Sequence, residues 1–479
     1  MGAAMCPKIA PGRAPNRGRC QTHGTKEMAR RRILVLFAQE WDRLALTDPR
    51  LTDRYDFVHA GFDLFRFPQN ARLLTFDARR YVERMVRLAR RDGMAGVISP
   101  HEQFGTLIAA EVAQRLGLPG ANPRAILRAQ HKYYARAAMA GVIPDATPRF
   151  GAFPFDLTDA ADLPLPFPFF VKPVKATFSV LARHVDSFEE LRRHLRFGRL
   201  ERLVAERLIR PFDDLLAAYP DLAIDAHHLI AEELIEGVQV NVDGYADRGR
   251  FRILGIVDEL MYPGTMTFNR FEYPSSLPQA VQTRMAAIAE QAMRAVGFDH
   301  GLFNVELCYA PQSDAIKVVE INPRVASQFI TLYQSVDGIG LYDLMLALAV
   351  GETPCCEPRP QAHAYAASFV FRRFDRRPVR PAPSEDRLAQ VAARHPDAHL
   401  MLYLKRGAAL AREMKWLGSH RFAVLNLSGR DRAELYARYR DIRDALGFVG
   451  DGGPEPAPLW SGPHVRPQPE ASRNAGDGT

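Results

Sequence analysis

Two strand-like segments, FNVELCY (Phe303 to Tyr309) and IKVVEINPR (Ile316 to Arg324), flank the turn-rich APQSD. So short a connection restricts them to an antiparallel hairpin. Centred on Ser313, the hairpin sets Glu306 directly across from Glu320, and Asn304 across from Asn322. Like charges opposed on adjacent strands repel, and a cation between them turns that cost into a binding site. Two carboxylates and an amide oxygen are hard ligands suited to Mg²⁺ (or Mn²⁺) shared with substrate phosphates rather than to an all-protein cage. Glu306, Glu320 and Asn322 are therefore the candidate metal ligands. The two-residue strand period puts Glu320 and Asn322 on one face, with Arg324 just beyond Pro323. A one-residue slip would separate the pair, so this register is an expectation.

Lysine is scarce: 8 of the 63 basic residues, the rest being arginine. Two of the eight fall three positions apart in FVKPVKATFS, as Lys172 and Lys175, and Lys132 lies upstream. A lysine is a compact point charge on a long stem, suited to phosphate oxygens. Beside the apolar PFPFF run such side chains are costly without an anion. Taken singly each is an ordinary solvated lysine; taken with the acidic hairpin, phosphate contact is the better reading.

With 479 residues, 47% of them hydrophobic, the chain buries ample core, and length suggests about three domains. No run approaches the roughly 18 to 20 apolar residues of a membrane span, and no secretory signal stands at the start, which makes the cytoplasm the expected location. Cys6, Cys20, Cys308, Cys355 and Cys356 are too few and too irregular for a disulfide framework or a zinc site. The net charge of +8 is concentrated in the tail Lys8 to Arg32 and in Arg-rich helices, without an aromatic-and-basic pattern, and nucleic-acid binding is disfavoured. A homodimer is the default assembly.

Residues 1–29 read as a disordered basic tail, in which Met28 is an alternative start, and 450–479 as a second disordered tail. RILVLFA, YDFVHAGF and MAGVISP are expected strands of an open α/β domain over 30–122, with a helix from Asp77 to Arg91 and another closed by Gly117. Asn122-Pro123 begins a helix that carries Lys132 and stops at Gly141. From 123 to 352 strands and hairpins mix with helices. VQVNVDGY and RFRILGIVDE form a hairpin about ADRG, and Val281 to Val296 marks an amphipathic helix closed by Gly297. A small α+β unit is expected over 362–449, ending in the helix Arg430 to Leu446. The fold class is thus α/β followed by α+β.

Lys132 in a helix, FVKP on a strand, IAEELIEG (Ile230 to Gly237), Glu306 and EINPR (Glu320 to Arg324), in this order behind an α/β domain, resemble the ATP-grasp superfamily over residues 32 to 447. The nearest subgroup is that of the biotin-carboxylase-like carboxylate–amine ligases. The resemblance implies an ATP-grasp fold with ATP between two α+β subdomains hinged near 230–237. It implies phosphate contacts from Lys132 and Lys172, Glu232 near the adenine amino group, and the backbone of Glu233, Leu234 and Ile235 along the adenine edge. Glu306, Glu320 and Asn322 would hold Mg²⁺, and Arg324 would stabilise a carboxylate or acyl phosphate. Implied with these are an ATP- and Mg²⁺-dependent ligase and, as partners, small-molecule carboxylate and amine substrates. A biotin-dependent carboxylase subunit and a nucleotide-binding regulator without ligase activity are the alternatives.

Two departures stand out. Many ATP-grasp proteins have a glycine-rich loop after the second lysine, whose amides cover the phosphates. Here the stretch reads VKATFSV, where Lys175, Thr177 and Ser179 are substitute donors. Gln239 occupies the position of an acidic ribose ligand. Elsewhere, His101-Glu102 ends a strand, as either a substrate contact or a helix cap. His227-His228 reads as a plain loop in preference to a metal pair, and Met261 to Pro278 as an ordered loop lining a substrate pocket.

Overall fold

β1 (Arg31–Leu36), β2 (Tyr55–Ala60) and β3 (Gly96–Ile98) form a parallel sheet in the order β2-β1-β3. The continuous apolar run of β1 is explained by its cover: Ile33 and Val35 pack with Tyr342, Leu346 and Ala349, whereas Leu34 and Leu36 pack with Val82 and Leu107. Gly96 permits the close approach of the later helix Leu341–Ala349, because a Cβ there would lie 2.8 Å from the Ala349 carbonyl oxygen. Asp77 caps the helix Ala78–Asp92, and Gly93, in the left-handed region, ends it. The coordinates form a computed structural model, which describes residues 30–448 except 65–68, 176–180, 197, 376–381, 406, 408, 409, 412 and 415–417. The two expected tails, with Met28, Cys6 and Cys20, and the substitute donors Thr177 and Ser179, lie outside the described residues.

The helix expected from Pro123 to Gly141 is two helices, Pro123–Gln130 and Lys132–Ala140. His131 adopts an extended conformation (φ −93°, ψ 104°) and breaks it. The Lys132 N–H then donates to the Val174 carbonyl at 2.8 Å, so a tertiary bond just beyond the second sheet replaces a helical one.

That second sheet is antiparallel, with β4 (Phe150–Pro154), β5 (Phe169–Pro173), β6 (Arg183–Val185) and β7 (His228–Glu232) in the order β4-β7-β5-β6. Its core is Phe153, Phe169, Val171, Val185, Leu191, Leu229 and Ala231.

The third sheet has eight antiparallel strands: β8 (Val238–Asp247), β9 (Arg250–Met261), β10 (Phe268–Tyr273), β11 (Gly301–Ala310), β12 (Ala315–Asn322), β13 (Tyr365–Arg373), β14 (His399–Leu402) and β15 (His420–Gly429). Their order is β12-β11-β8-β9-β10-β13-β15-β14. Arg248 and Gly249, both at positive φ, make the tight turn between β8 and β9. Strand β13 pairs with β10, Arg270 opposite Phe369, so the unit expected over 362–449 extends the central sheet instead of building one of its own. Helix Arg432–Ala445 packs on β15. No helix among the described residues is long and apolar enough to cross a membrane.

Candidate active site

Asn304 stands opposite Asn322 and Glu306 opposite Glu320, the register expected from the hairpin. Beyond Glu306 the pairing shifts, Leu307 facing Val318, so Val319 is an extra residue on β12. A bulged carbonyl is released from the ladder and needs a new donor. The Val319 oxygen receives two, Arg136 Nη2 at 2.7 Å and Lys172 Nζ at 3.2 Å. The bulge therefore draws two cations to the residue next to Glu320.

Lys172, on β5, also pairs with Glu232 Oε2 at 2.7 Å, while Arg136 Nε donates to Glu232 Oε1 at 2.7 Å. Glu232 is 2% exposed. Burial raises its pKa, but Arg136 and Lys172 outweigh that and hold it below the usual carboxylate range. Both Glu232 oxygens thus face cations at the sheet's end, and its evident work here is to fix Lys172. Lys132, at the start of the second half-helix, pairs with Glu320 Oε1 at 2.8 Å. Burial raises Glu320 as well, and Lys132 and Lys172 bring it below its ordinary value.

Glu306 behaves oppositely. Burial and the facing Glu320 push its pKa up to about 7. It accepts from Asn322 Nδ2 at 3.1 Å and from Gln239 Nε2 at 3.2 Å, so Gln239 meets the hairpin carboxylate directly. A buried carboxylate pair held apart in pKa is the environment a divalent cation relieves. Among the described residues no three His, Cys, Asp or Glu side chains form a metal cage. The donors present, Glu306, Glu320 and Asn322, thus fit a hard ion that takes further oxygens from phosphates.

Arg324 follows β12 and reaches the N-terminal domain, its Nε and Nη2 each 2.9 Å from Glu102 Oε2. Glu102 lies just past the carboxyl end of β3, where open parallel sheets bind ligands. Adjacent His101 is buried and is pulled down to about 3 by burial, with Lys175 and Arg324 adding to it. Of the pair expected to be a contact or a cap, the histidine is buried, and the half-buried Glu102 carboxylate engages the site arginine. Burial lowers Lys175 to about 8. Glu233 pairs with Lys317 at 2.9 Å and Arg149 at 3.0 Å; Leu234 and Ile235 follow in the link between the second and third sheets. Gly237 ends that link at φ +135°, and a Cβ there would lie 2.1 Å from the Tyr309 carbonyl oxygen.

Not anticipated were Arg136 and a polar row inside the large sheet. Asn304 Nδ2 donates to Asn241 at 2.9 Å and to Asp243 at 3.0 Å; Asn241 donates to Glu259 at 2.5 Å; Tyr333 donates to Asp243 at 2.8 Å. The signal was the alternation Gln239, Asn241, Asp243, whose polar face is buried at Asn241 and Asp243 as fully as the valine face opposite. His227 and His228 bind different carboxylates, Asp213 at 2.9 Å and Asp225 at 2.8 Å. In the loop after β9, Tyr262 is anchored by its hydroxyl donating to the Val370 carbonyl at 2.8 Å.

Residues 165–332 match the ATP-grasp domain family. An L-amino acid ligase from Bacillus licheniformis superposes with a TM-score of 0.59 at 18% identity, covering 88% of this chain and 98% of that one. A carboxyaminoimidazole ribonucleotide synthase from Aspergillus clavatus, complexed with ATP, gives 0.58 at 15% identity, covering 88% and 99%. A biotin carboxylase from Campylobacter jejuni gives 0.53 at 14%, covering 87% and 91%. In sequence, an uncharacterized protein y4rH of Sinorhizobium fredii is 24% identical over 393 residues, 81% of this chain and 73% of that protein. Carnosine synthase 1 of Gallus gallus is 28% identical over 163 residues, 31% of this chain but only 17% of the chicken protein. Residues 165–332 thus carry the mark of an ATP-grasp domain, and the chain has the ATP-grasp fold over most of its length.

Proposed function

We propose that the protein is an ATP- and Mg²⁺-dependent ligase that activates a carboxylate as an acyl phosphate for attack by an amine. The observation that carries this reading is the convergence of Lys132 and Lys172, from two separate parts of the chain, on one acidic hairpin that Arg324 continues. Such a set neutralises phosphate charge and supplies no protein nucleophile, which suits a transfer governed by positioning and electrostatics.

In the first step a substrate carboxylate oxygen attacks the γ-phosphorus of ATP, the bond to the β–γ bridging oxygen breaks, and ADP leaves. In the second the amine nitrogen attacks the acyl carbon, the acyl–oxygen bond breaks, phosphate departs, and the nitrogen loses a proton. Lys132 and Lys172 hold the phosphates, and Arg324 draws in the carboxylate and stabilises its phosphorylated form. Glu306, Glu320 and Asn322 would hold Mg²⁺, which when bound supplies Lewis-acid charge neutralisation. The backbone of Glu233 to Ile235 lies along the adenine. The L-amino acid ligase and the carnosine synthase among the similar proteins favour amino acids as the substrate class.

The test is ADP release from Mg·ATP in the presence of pooled amino acids, other carboxylates and amines, beside a Glu320→Ala control. Release that needs both an acid and an amine, and Glu320, supports the ligase. ATP binding with no release under any pool contradicts it.

A further inference from the structure

Helix Arg199–Leu216 is inserted between β6 and β7 but packs elsewhere. Ile209, Phe212, Leu215 and Leu216 are buried in the core that also holds Tyr81, Ile126 and Leu127. Three bonds fix the helix around Phe212: Gln103 Nε2 donates to the Leu208 carbonyl at 3.2 Å, Arg79 Nε to the Asp214 carbonyl at 2.5 Å, and the Ala226 N–H to Asp213 Oδ1 at 2.8 Å.

The Phe212 ring is fully buried and touches both lysine-bearing segments. Lys175 Nζ lies 5.4 Å from its centroid, and the His131 ring is stacked on it at 6.3 Å. His131 is the break that makes Lys132 a helix start, and the Lys132 N–H is bonded to Val174, the neighbour of Lys175.

The three lysines are held differently. Lys132 and Lys172 rest on carboxylates at 2.8 and 2.7 Å, whereas Glu102 and Glu320 act on Lys175 at longer range. A carboxylate takes an N–H donor and cancels charge. A ring face attracts an ammonium through its quadrupole and leaves its N–H groups to other acceptors. We propose that Phe212 is a positioning residue for nucleotide phosphate: it holds Lys175 with charge and donors available to the polyphosphate, in the place where glycine-loop amides would otherwise stand. The inference rests on the ATP reading above and concerns the one segment where this chain departs from the glycine-loop pattern.

The test is equilibrium ATP binding by calorimetry to the full chain and to Phe212→Leu, Phe212→Tyr, Lys175→Met and Phe212→Leu/Lys175→Met, with Lys172→Ala as control. Phe212→Leu weakens ATP binding about three- to thirtyfold, the range of a cation–π contact up to its desolvated value. Phe212→Tyr keeps the ring and restores affinity, and Phe212→Leu has no further effect once Lys175 is methionine. Equal loss in both backgrounds, or no loss at all, overturns the proposal. If Phe212→Leu fails to fold, Phe212→Met takes its place in the same cycle. Wild-type protein that does not bind ATP refutes the parent reading as well; binding that Lys172→Ala abolishes and Phe212→Leu leaves intact refutes the Phe212 role alone.

Discussion

Replacing Lys172 by methionine keeps the stem and removes the charge, and the structure sets the size of two separate effects. Lys172 is 7% exposed, 2.7 Å from Glu232 and 3.2 Å from the Val319 carbonyl. Breaking a buried ion pair costs roughly 3–5 kcal/mol when the remaining charge is stranded. Glu232 is not stranded, because Arg136 still binds it at 2.7 Å, so about 1.5–3 kcal/mol of stability is lost, the value of a single hydrogen bond to a charge. A charge-assisted contact to phosphate is worth about 1.5–3 kcal/mol. At 1.4 kcal/mol per decade, ATP affinity falls about ten- to a hundredfold. Chemical denaturation and nucleotide titration read the two effects independently. Lys172→Met/Glu232→Gln loses further stability, because it strands the buried Arg136 guanidinium, and recovers none of the affinity. Unchanged ATP affinity in Lys172→Met would refute the placement of Lys172 at the phosphates, and recovery of affinity in the double variant would show that Lys172 acts only through Glu232.

Glu320→Ala abolishes Mg²⁺-dependent ADP release while circular dichroism stays native; retained turnover would remove Glu320 from the metal set. In metal-free protein Glu306 is raised from 4.5 to about 7, so the folded state binds more protons than the unfolded one across that window and stability falls as pH rises through it. Glu306→Gln flattens this part of the stability–pH profile, measured by denaturant titration, and an unchanged slope would contradict the assignment. Lys172→Ala weakens ATP binding more than Lys175→Ala, since Lys172 also meets the bulged carbonyl beside Glu320; the reverse order in titration rejects that division. Gly237→Ala costs at least about 2 kcal/mol in thermal or chemical unfolding, because positive φ and the Tyr309 carbonyl both oppose a side chain.

The hairpin was legible because its register follows from a short turn and two alternating strands, and its carboxylates face each other as counted. The N-terminal sheet was equally plain, since caps and glycines marked its helices. What escaped depends on contacts distant in sequence. Nothing local to Arg136 announces that a bulge at Val319, 183 positions away, frees a carbonyl for it. The break at His131 is likewise a tertiary effect, produced where Lys132 bonds Val174 in place of a helical carbonyl. Asn241 and Asp243 alternate as solvent-facing residues do, and only the full sheet reveals that their face is buried as well as that of Val240 and Val242. Glu102 could be weighed from its place after a strand, but its partner Arg324 lies 222 residues further on.

The central claim is that the γ-phosphoryl group passes through the substrate carboxylate. The direct measurement is turnover with substrate labelled by heavy oxygen in its carboxylate, followed by mass spectrometry of the released phosphate. The account predicts one labelled oxygen in each phosphate formed, with the transfer lost in Glu320→Ala. Phosphate that carries only solvent oxygen, while ADP is released, would contradict it.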